Sequence, residues 1–258
     1  MLKILLYTLF ALILTLSSFT TLDVYTSEFD TIVIDAGHGG KDPGCSGKKA
    51  REKEINLDIS LKVGKLLKDS MPYLNIVYTR SDDRFIELHD RAGIANKKGA
   101  DLFISIHSNS GPAGMYGTET YCMGLHKTEQ NLEVAKRENS SILYEKDHDK
   151  KYEGYDPNSP QSYIMFSLYQ NAFINNSLML AYKIEEEFKN HEKRHSRGVK
   201  QAGFLVLWKT SMPSVLVETG FLTDSTEENY LANEEGRMKT ATGIYNAVKE
   251  YMQELDAY

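Results

Sequence analysis

The chain has 258 residues, 41% of them apolar, with 18 glycines and six prolines, which describes one or two ordinary globular domains rather than a disordered or repeat-built protein. Thirty Lys and Arg against 36 Asp and Glu leave a net charge of −6, the wrong sign for a nucleic-acid binder. Two cysteines exclude a disulfide framework, a four-cysteine zinc site and an iron–sulfur cluster, so any metal here is held mainly by His, Asp and Glu.

Lys3 precedes an apolar run over residues 4–16, which gives way to Ser17, Ser18, Thr20 and Thr21. A positive start, a short apolar core and a small-residue exit are the marks of a secretory leader, and the run falls short of the roughly 20 residues a membrane span needs. The expected division is a leader over residues 1–27, its end approximate, and a mature domain over 28–258 that is exported and carries no stable membrane anchor. In an exported protein Cys45 and Cys122 can pair, although one spacing does not decide it.

Strand-like and helix-like stretches then alternate. Residues 31–35 form a β-branched apolar run ending in Gly37, Gly39 and Gly40, and residues 55–67 carry apolar side chains at helical period. Strands are predicted over 74–78, 101–106, 116–123, 203–208 and 213–217, and helices over 84–98, 173–189 and 234–255. The alternation predicts a single α/β domain with a mostly parallel twisted sheet flanked by helices on both faces. Residues 126–161 break the rhythm: a highly charged stretch that reads as one long helix followed by a polar loop, too long for an ordinary connection.

Three apolar strands stop on residues of catalytic type: residues 31–35 lead to His38, 102–106 to His107, and 215–217 to Glu218. Ligands bind beyond the carboxyl ends of the strands in open α/β sheets, so parallel strands bring these three side chains to one edge. Two imidazoles, a carboxylate and an open position make a catalytic zinc site, and a further carboxylate can serve as general base. Each residue also has a plainer reading: His38 as a loop residue, His107 as a satisfied core histidine, Glu218 as a helix cap. Glu52 and Glu54 both sit near the start of the following helix, where acids complement the helix dipole, and the residues alone do not choose which could reach a metal.

At this point the motifs resemble a known family. Asp35-Ala-Gly-His38-Gly-Gly-Lys-Asp-Pro-Gly44, Glu52-Lys-Glu-Ile-Asn-Leu57, Ser105-Ile-His107-Ser-Asn109 and Val217-Glu218-Thr-Gly-Phe221 are similar, in order, to the zinc-dependent N-acetylmuramoyl-L-alanine amidases of type 3. Thr79-Arg80 and Arg91-Ala-Gly-Ile-Ala-Asn96 resemble that family's connecting segments. The resemblance implies one zinc ion held by His38, Glu52 and His107, with Glu218 as catalytic base. It implies hydrolysis of the peptidoglycan amide between the lactyl group of N-acetylmuramic acid and L-alanine of the stem peptide. Asp35 is a candidate acceptor for a ligand imidazole N–H, and Asn109 a candidate lining of the substrate groove.

The charged segment 126–161 resembles an insertion of division-associated members, in which a helix covers the zinc site until an activator protein displaces it. The match of Val134-Ala-Lys-Arg-Glu138-Asn-Ser to that helix makes Glu138 the candidate regulatory residue. Leu132, Ala135, Ile142 and Leu143 make an apolar stripe at helical spacing with Glu138 at its edge. This resemblance implies a periplasmic enzyme, the alternative being a secreted or wall-associated one. Two rival readings are a wall-binding protein without turnover and a zinc peptidase or deacetylase using the same metal chemistry on another bond.

Overall fold

The computed structural model describes residues 29–156, 159, 161–162 and 172–255. The predicted leader lies outside the described residues, as do parts of the polar loop. In chain order the elements are β1 (Thr31–Ala36), α1 (Glu52–Ser70), β2 (Asn75–Tyr78), α2 (Leu88–Lys97), β3 (Leu102–Asn109) and β4 (Thr118–Met123). There follow α3 (Glu129–Asn139), a 3₁₀ turn (Ser140–Tyr144), α4 (His148–Lys151), α5 (Ile174–Glu186), β5 (Ser196–Ala202), α6 (Leu205–Trp208), β6 (Ser214–Phe221), α7 (Ser225–Ala232) and α8 (Glu234–Leu255).

The six strands form one sheet in the order β2-β1-β3-β6-β4-β5. Every pairing is parallel except β4 with β6, so the expected mostly parallel sheet is found. Successive side chains of a strand point to opposite faces, and the interior divides accordingly. Ile32, Ile34, Ile104, Ile106, Val215 and Val217 pack on one side against α1, α5 and α8. Val33, Phe103, Tyr121 and Leu216 face the other side, where α2, α6 and the inserted α3 lie.

Two element expectations are corrected. The apolar run at 205–208 is a single buried helical turn, and the strand is the polar Ser196–Ala202 that precedes it. A short apolar run does not distinguish a strand from a buried helical turn; here the Asn139 carboxamide oxygen accepts the Leu205 N–H at 2.9 Å and opens the turn. The inserted segment is not one long helix. After 11 residues α3 ends near Ser140, whose hydroxyl donates back to the Arg137 carbonyl, and the chain tightens into the 3₁₀ turn. Leu132, Ala135 and Ile142 of the stripe are buried, whereas Leu143 is 59% exposed and Val134 takes a buried place instead.

Both cysteines are free: the half-buried Cys45 thiol donates to the Ser108 carbonyl at 3.1 Å, and Cys122 lies in the core. Among the described residues no helix is long and apolar enough to cross a membrane.

Candidate metal centre

The parallel register places His107 opposite Glu218, and the antiparallel pairing of β4 places Glu119 opposite Glu218 on its other side. His107, Glu218 and Glu119 therefore stand together on the sheet face that carries α3. The turn after β1 brings in His38 in a left-handed conformation, φ 60°. Two buried arginines hold that turn through its carbonyls. Arg80 donates to Ala36 and Gly37, while Arg91 donates to Ala36 and His38. A side chain at Gly37 would meet the His107 ring 2.4 Å from its Cβ, so the close approach of the turn to β3 requires glycine.

Helix α1 begins at Glu52 rather than near Ile55, and its two acids take different directions. Glu52 points inward and is buried, whereas Glu54 pairs with Arg51 at the surface. Glu52 is fixed by three donors: Cys45 N–H at 2.7 Å, Ser108 N–H at 3.0 Å and, one helical turn along, the Asn56 amide at 3.2 Å. Ser108 in turn donates to Asn56, and Thr219 donates to the His107 carbonyl. The polar residues between the candidate ligands thus tie β3, β6 and α1 into one frame.

Four donor atoms converge there. His38 Nε2 lies 3.1 Å from both Glu52 Oε1 and Glu138 Oε2, and His107 Nδ1 lies 3.2 and 3.0 Å from the same two oxygens. No two ligand atoms of His38, Glu52, His107 and Glu138 are more than 4.8 Å apart. A tetrahedral ion with bonds of about 2.0–2.1 Å has ligand–ligand edges of about 3.3 Å, close to the distances found. His38 Nε2 and Glu138 Oε2 are both buried without a hydrogen-bond partner, although they face each other at 3.1 Å. Atoms so placed aim at a shared centre rather than at each other, and the set fits a divalent cation.

The electrostatics agree. Burial works against a charged imidazole, but Glu52, Asp42 and Glu138 hold His38 well above the ordinary histidine value. His107 is raised to about 9, with Glu138 and Glu52 outweighing its burial. Burial works against the ionised Glu52, but the His38 and His107 imidazoles hold its carboxyl well below the usual range. The two acids therefore demand positive charge at this point, which a dication supplies.

The carboxylate that meets a ligand imidazole is Asp42, not Asp35. Asp42 Oδ2 lies 2.8 Å from His38 Nδ1 and also accepts from the Ser141 hydroxyl. Asp35 instead accepts from Thr79 at 2.6 Å, Arg91 at 2.8 Å and Ser105 at 2.7 Å. Its strand position directs it to the arginine that supports the His38 turn. Burial raises the Asp35 carboxyl and Arg91, Thr79 and Ser105 more than offset that, leaving its pKa lowered. The stability it contributes is present above the ordinary carboxylate pKa and lost as the pH falls through the lowered one. Asp35→Asn leaves Arg91 buried and uncompensated, and is expected to cost about 3–5 kcal/mol in urea denaturation at neutral pH.

Glu218 stands beside the cluster with no exposed surface, and neither of its carboxylate oxygens has a hydrogen-bond partner among the described residues. Burial first, and the Glu138 charge second, push its pKa well above the usual range. Arg137 reaches over it. Its Nη2 is 2.7 Å from Asn109 Oδ1 and 3.8 Å from Glu218 Oε1, its Nη1 donates to the Ser110 carbonyl, and its Nε donates to Glu138 Oε1. Asn109 is thus found in the site, beneath α3. Sequence reasoning missed Arg137, Asp42 and Glu119; only the Arg-Glu pair beside the apolar stripe of a charged helix offered a signal.

A mostly parallel sheet that delivers two imidazoles and carboxylates to one buried cluster, beside a carboxylate with no hydrogen-bond partner among the described residues, is suited to a metal-dependent hydrolase. Residues 32–250 match the Amidase_3 family model, described as N-acetylmuramoyl-L-alanine amidase, and the chain belongs to that family of enzymes. AmiA of Escherichia coli K12, an N-acetylmuramoyl-L-alanine amidase, is 36% identical over 229 residues, covering 87% of this chain and 77% of the relative. The N-acetylmuramoyl-L-alanine amidase of Clostridium difficile 630 superposes with a TM-score of 0.64 at 28% identity, covering 88% of this chain and 98% of that one. The CwlD amidase of Clostridioides difficile, solved in complex with the GerS lipoprotein, superposes with a TM-score of 0.63 at 27% identity, covering 87% and 99%.

Proposed function

We propose that the protein is an exported, zinc-dependent peptidoglycan hydrolase, acting in the periplasm on the amide between the lactyl group of N-acetylmuramic acid and L-alanine. We propose further that α3 keeps it shut until a partner protein displaces that helix. The observation that carries both readings is the convergence of His38, Glu52, His107 and Glu138 beside Glu218. Three of the four donors come from the α/β frame and the fourth from the inserted helix.

His38, Glu52 and His107 would hold a zinc ion once Glu138 is withdrawn. Bound there, zinc supplies a Lewis acid and lowers the pKa of an attacking water. Glu218 would take a proton from the attacking water as the water oxygen bonds to the carbonyl carbon, and would return a proton to the alanine nitrogen as the C–N bond breaks. The products are a lactyl carboxylate and a stem peptide with a free amino terminus. Asp42 fixes the ring of His38 through Nδ1, so Asp42→Asn is expected to weaken zinc binding about 10- to 100-fold in a chelator competition.

The closed state is supported by burial. His38, Glu52, His107, Glu138 and Glu218 are each no more than 6% exposed, which leaves no access for a polymeric substrate. The GerS complex of a related amidase supports the idea that a protein partner can engage this fold. The test is mass spectrometry of peptidoglycan digested by zinc-loaded Arg137→Ala/Glu138→Ala protein. Stem peptides beginning with alanine are the expected product; fragments cut within the peptide or deacetylated glycans would refute the bond assignment.

A further inference from the structure

Residues 137–138 bring Arg137 Nη2 and Glu138 Oε2 into the site, each against groups of the α/β frame. Glu138 Oε2 lies within 3.1 Å of both His38 Nε2 and His107 Nδ1. Arg137 Nη2 lies between Asn109 Oδ1, at 2.7 Å, and Glu218 Oε1, at 3.8 Å. It occupies a point from which a nitrogen donates a hydrogen to Asn109 while facing the Glu218 carboxyl.

The Asn109 amide is not free to turn. Its Nδ2 donates to Glu119 Oε2 at 3.0 Å, and the Ser110 N–H donates to its Oδ1 at 2.8 Å. Glu119 is buried and held by Arg197, Lys200 and the Tyr121 hydroxyl, so it presents only acceptors to Asn109. Burial raises its carboxyl, and Lys200, Arg197 and Tyr121 together bring it below the usual value, which keeps it ionised. With Nδ2 committed to Glu119, Oδ1 is the atom that faces the site. The acceptor orientation is therefore built into the sheet frame by β4 and β5, independently of α3.

We propose that Asn109 Oδ1 accepts the N–H of the scissile amide once α3 has moved, orienting that nitrogen so that its lone pair meets the proton delivered by Glu218. Glu119 is the positioning residue that fixes Asn109. This inference rests on the amidase reading above and names a specificity determinant for it. During hydrolysis the original N–H stays on the nitrogen, hydrogen-bonded to Asn109, and the second hydrogen arrives from Glu218 as the C–N bond breaks. An amide lacking that hydrogen loses the contact and leaves Asn109 Oδ1 with the Ser110 N–H as its donor.

The test uses the zinc-loaded Arg137→Ala/Glu138→Ala protein and two muramoyl peptides, one with L-alanine and one with N-methyl-L-alanine at the first position. Asn109→Ala in that background is expected to lower kcat/KM about 10-fold or more on the alanine substrate and less than about 3-fold on the N-methyl one. Zinc content, read by elemental mass spectrometry, is expected to be unchanged, which separates loss of orientation from loss of the metal. Asn109→Ser, whose hydroxyl is too short to reach, serves as a second variant if the alanine substitution unfolds the protein. Equal losses on both substrates overturn the role of Asn109 while leaving the amidase reading intact. If the parent protein releases no stem peptide from either substrate, the amidase reading and this inference fall together.

Discussion

Replacing Glu218 with glutamine in a protein whose helix α3 has been disarmed is expected to reduce stem-peptide release by about 10²- to 10⁴-fold while leaving zinc bound. The substitution keeps the shape of the side chain, and Glu218 is not one of the four converging donors. Its two oxygens make no hydrogen bond among the described residues, the condition a proton carrier needs, since a committed carboxylate has to break a contact before each transfer. Burial is the first cause that holds its pKa high, and it does not depend on the Glu138 charge that the disarmed background removes. His107→Ala provides the contrast: it removes a donor, so zinc and activity are expected to be lost together. The measurement is product release by mass spectrometry with zinc quantified in the same samples. A Glu218→Gln protein that retains zinc and cuts at an undiminished rate would remove Glu218 from the mechanism.

The site was legible where strand chemistry made it so. Apolar runs that stop on His38, His107 and Glu218 announce themselves because a parallel sheet gathers its carboxyl ends at one edge, and the register found here puts His107 level with Glu218. What depended on where a helix begins was not legible: Glu52 and Glu54 are equally acidic and equally near the start of α1, and only the helix phase turns one inward. Asp35 and Asp42 present the same difficulty. Both lie near the glycine-rich turn, but Asp42 is i+4 from His38 around a left-handed bend, whereas Asp35 faces Arg91 from within β1. The edge strand β5 was hidden by its own polarity. Arg197 and Lys200 turn toward buried Glu119, and no alternation of apolar residues betrays the strand. The motif residues that looked like mere spacers, Asn56, Ser108 and Thr219, prove to be the hydrogen-bonded frame behind the ligands.

Removing the two side chains that enter the site, Arg137→Ala with Glu138→Ala, is expected to raise basal stem-peptide release about 10- to 1,000-fold. The upper end is a ceiling, reached only if the substitution opens fully a state that is about 0.1% open at rest. The closed state is held by more than those two residues. Asn139 bonds to Gly203, Leu205 and Tyr155, the Ser141 hydroxyl donates to Asp42, and Glu145 accepts from the Leu88 N–H and the Tyr152 hydroxyl. Each such bond contributes about 0.5–1.5 kcal/mol net, so a partner that opens the site has to supply several kcal/mol of differential binding. These latches also argue against deleting the insertion as a test. Leu132, Val134, Ala135, Ile142, Tyr152 and Tyr155 form part of the core on that face of the sheet, and their loss would expose Tyr121, Phe204 and Leu216. The double substitution leaves that packing in place and withdraws only the fourth donor and the guanidinium over Glu218. Release rates compared at equal zinc content decide the matter: a double variant no faster than the parent would mean that α3 covers the site without governing it.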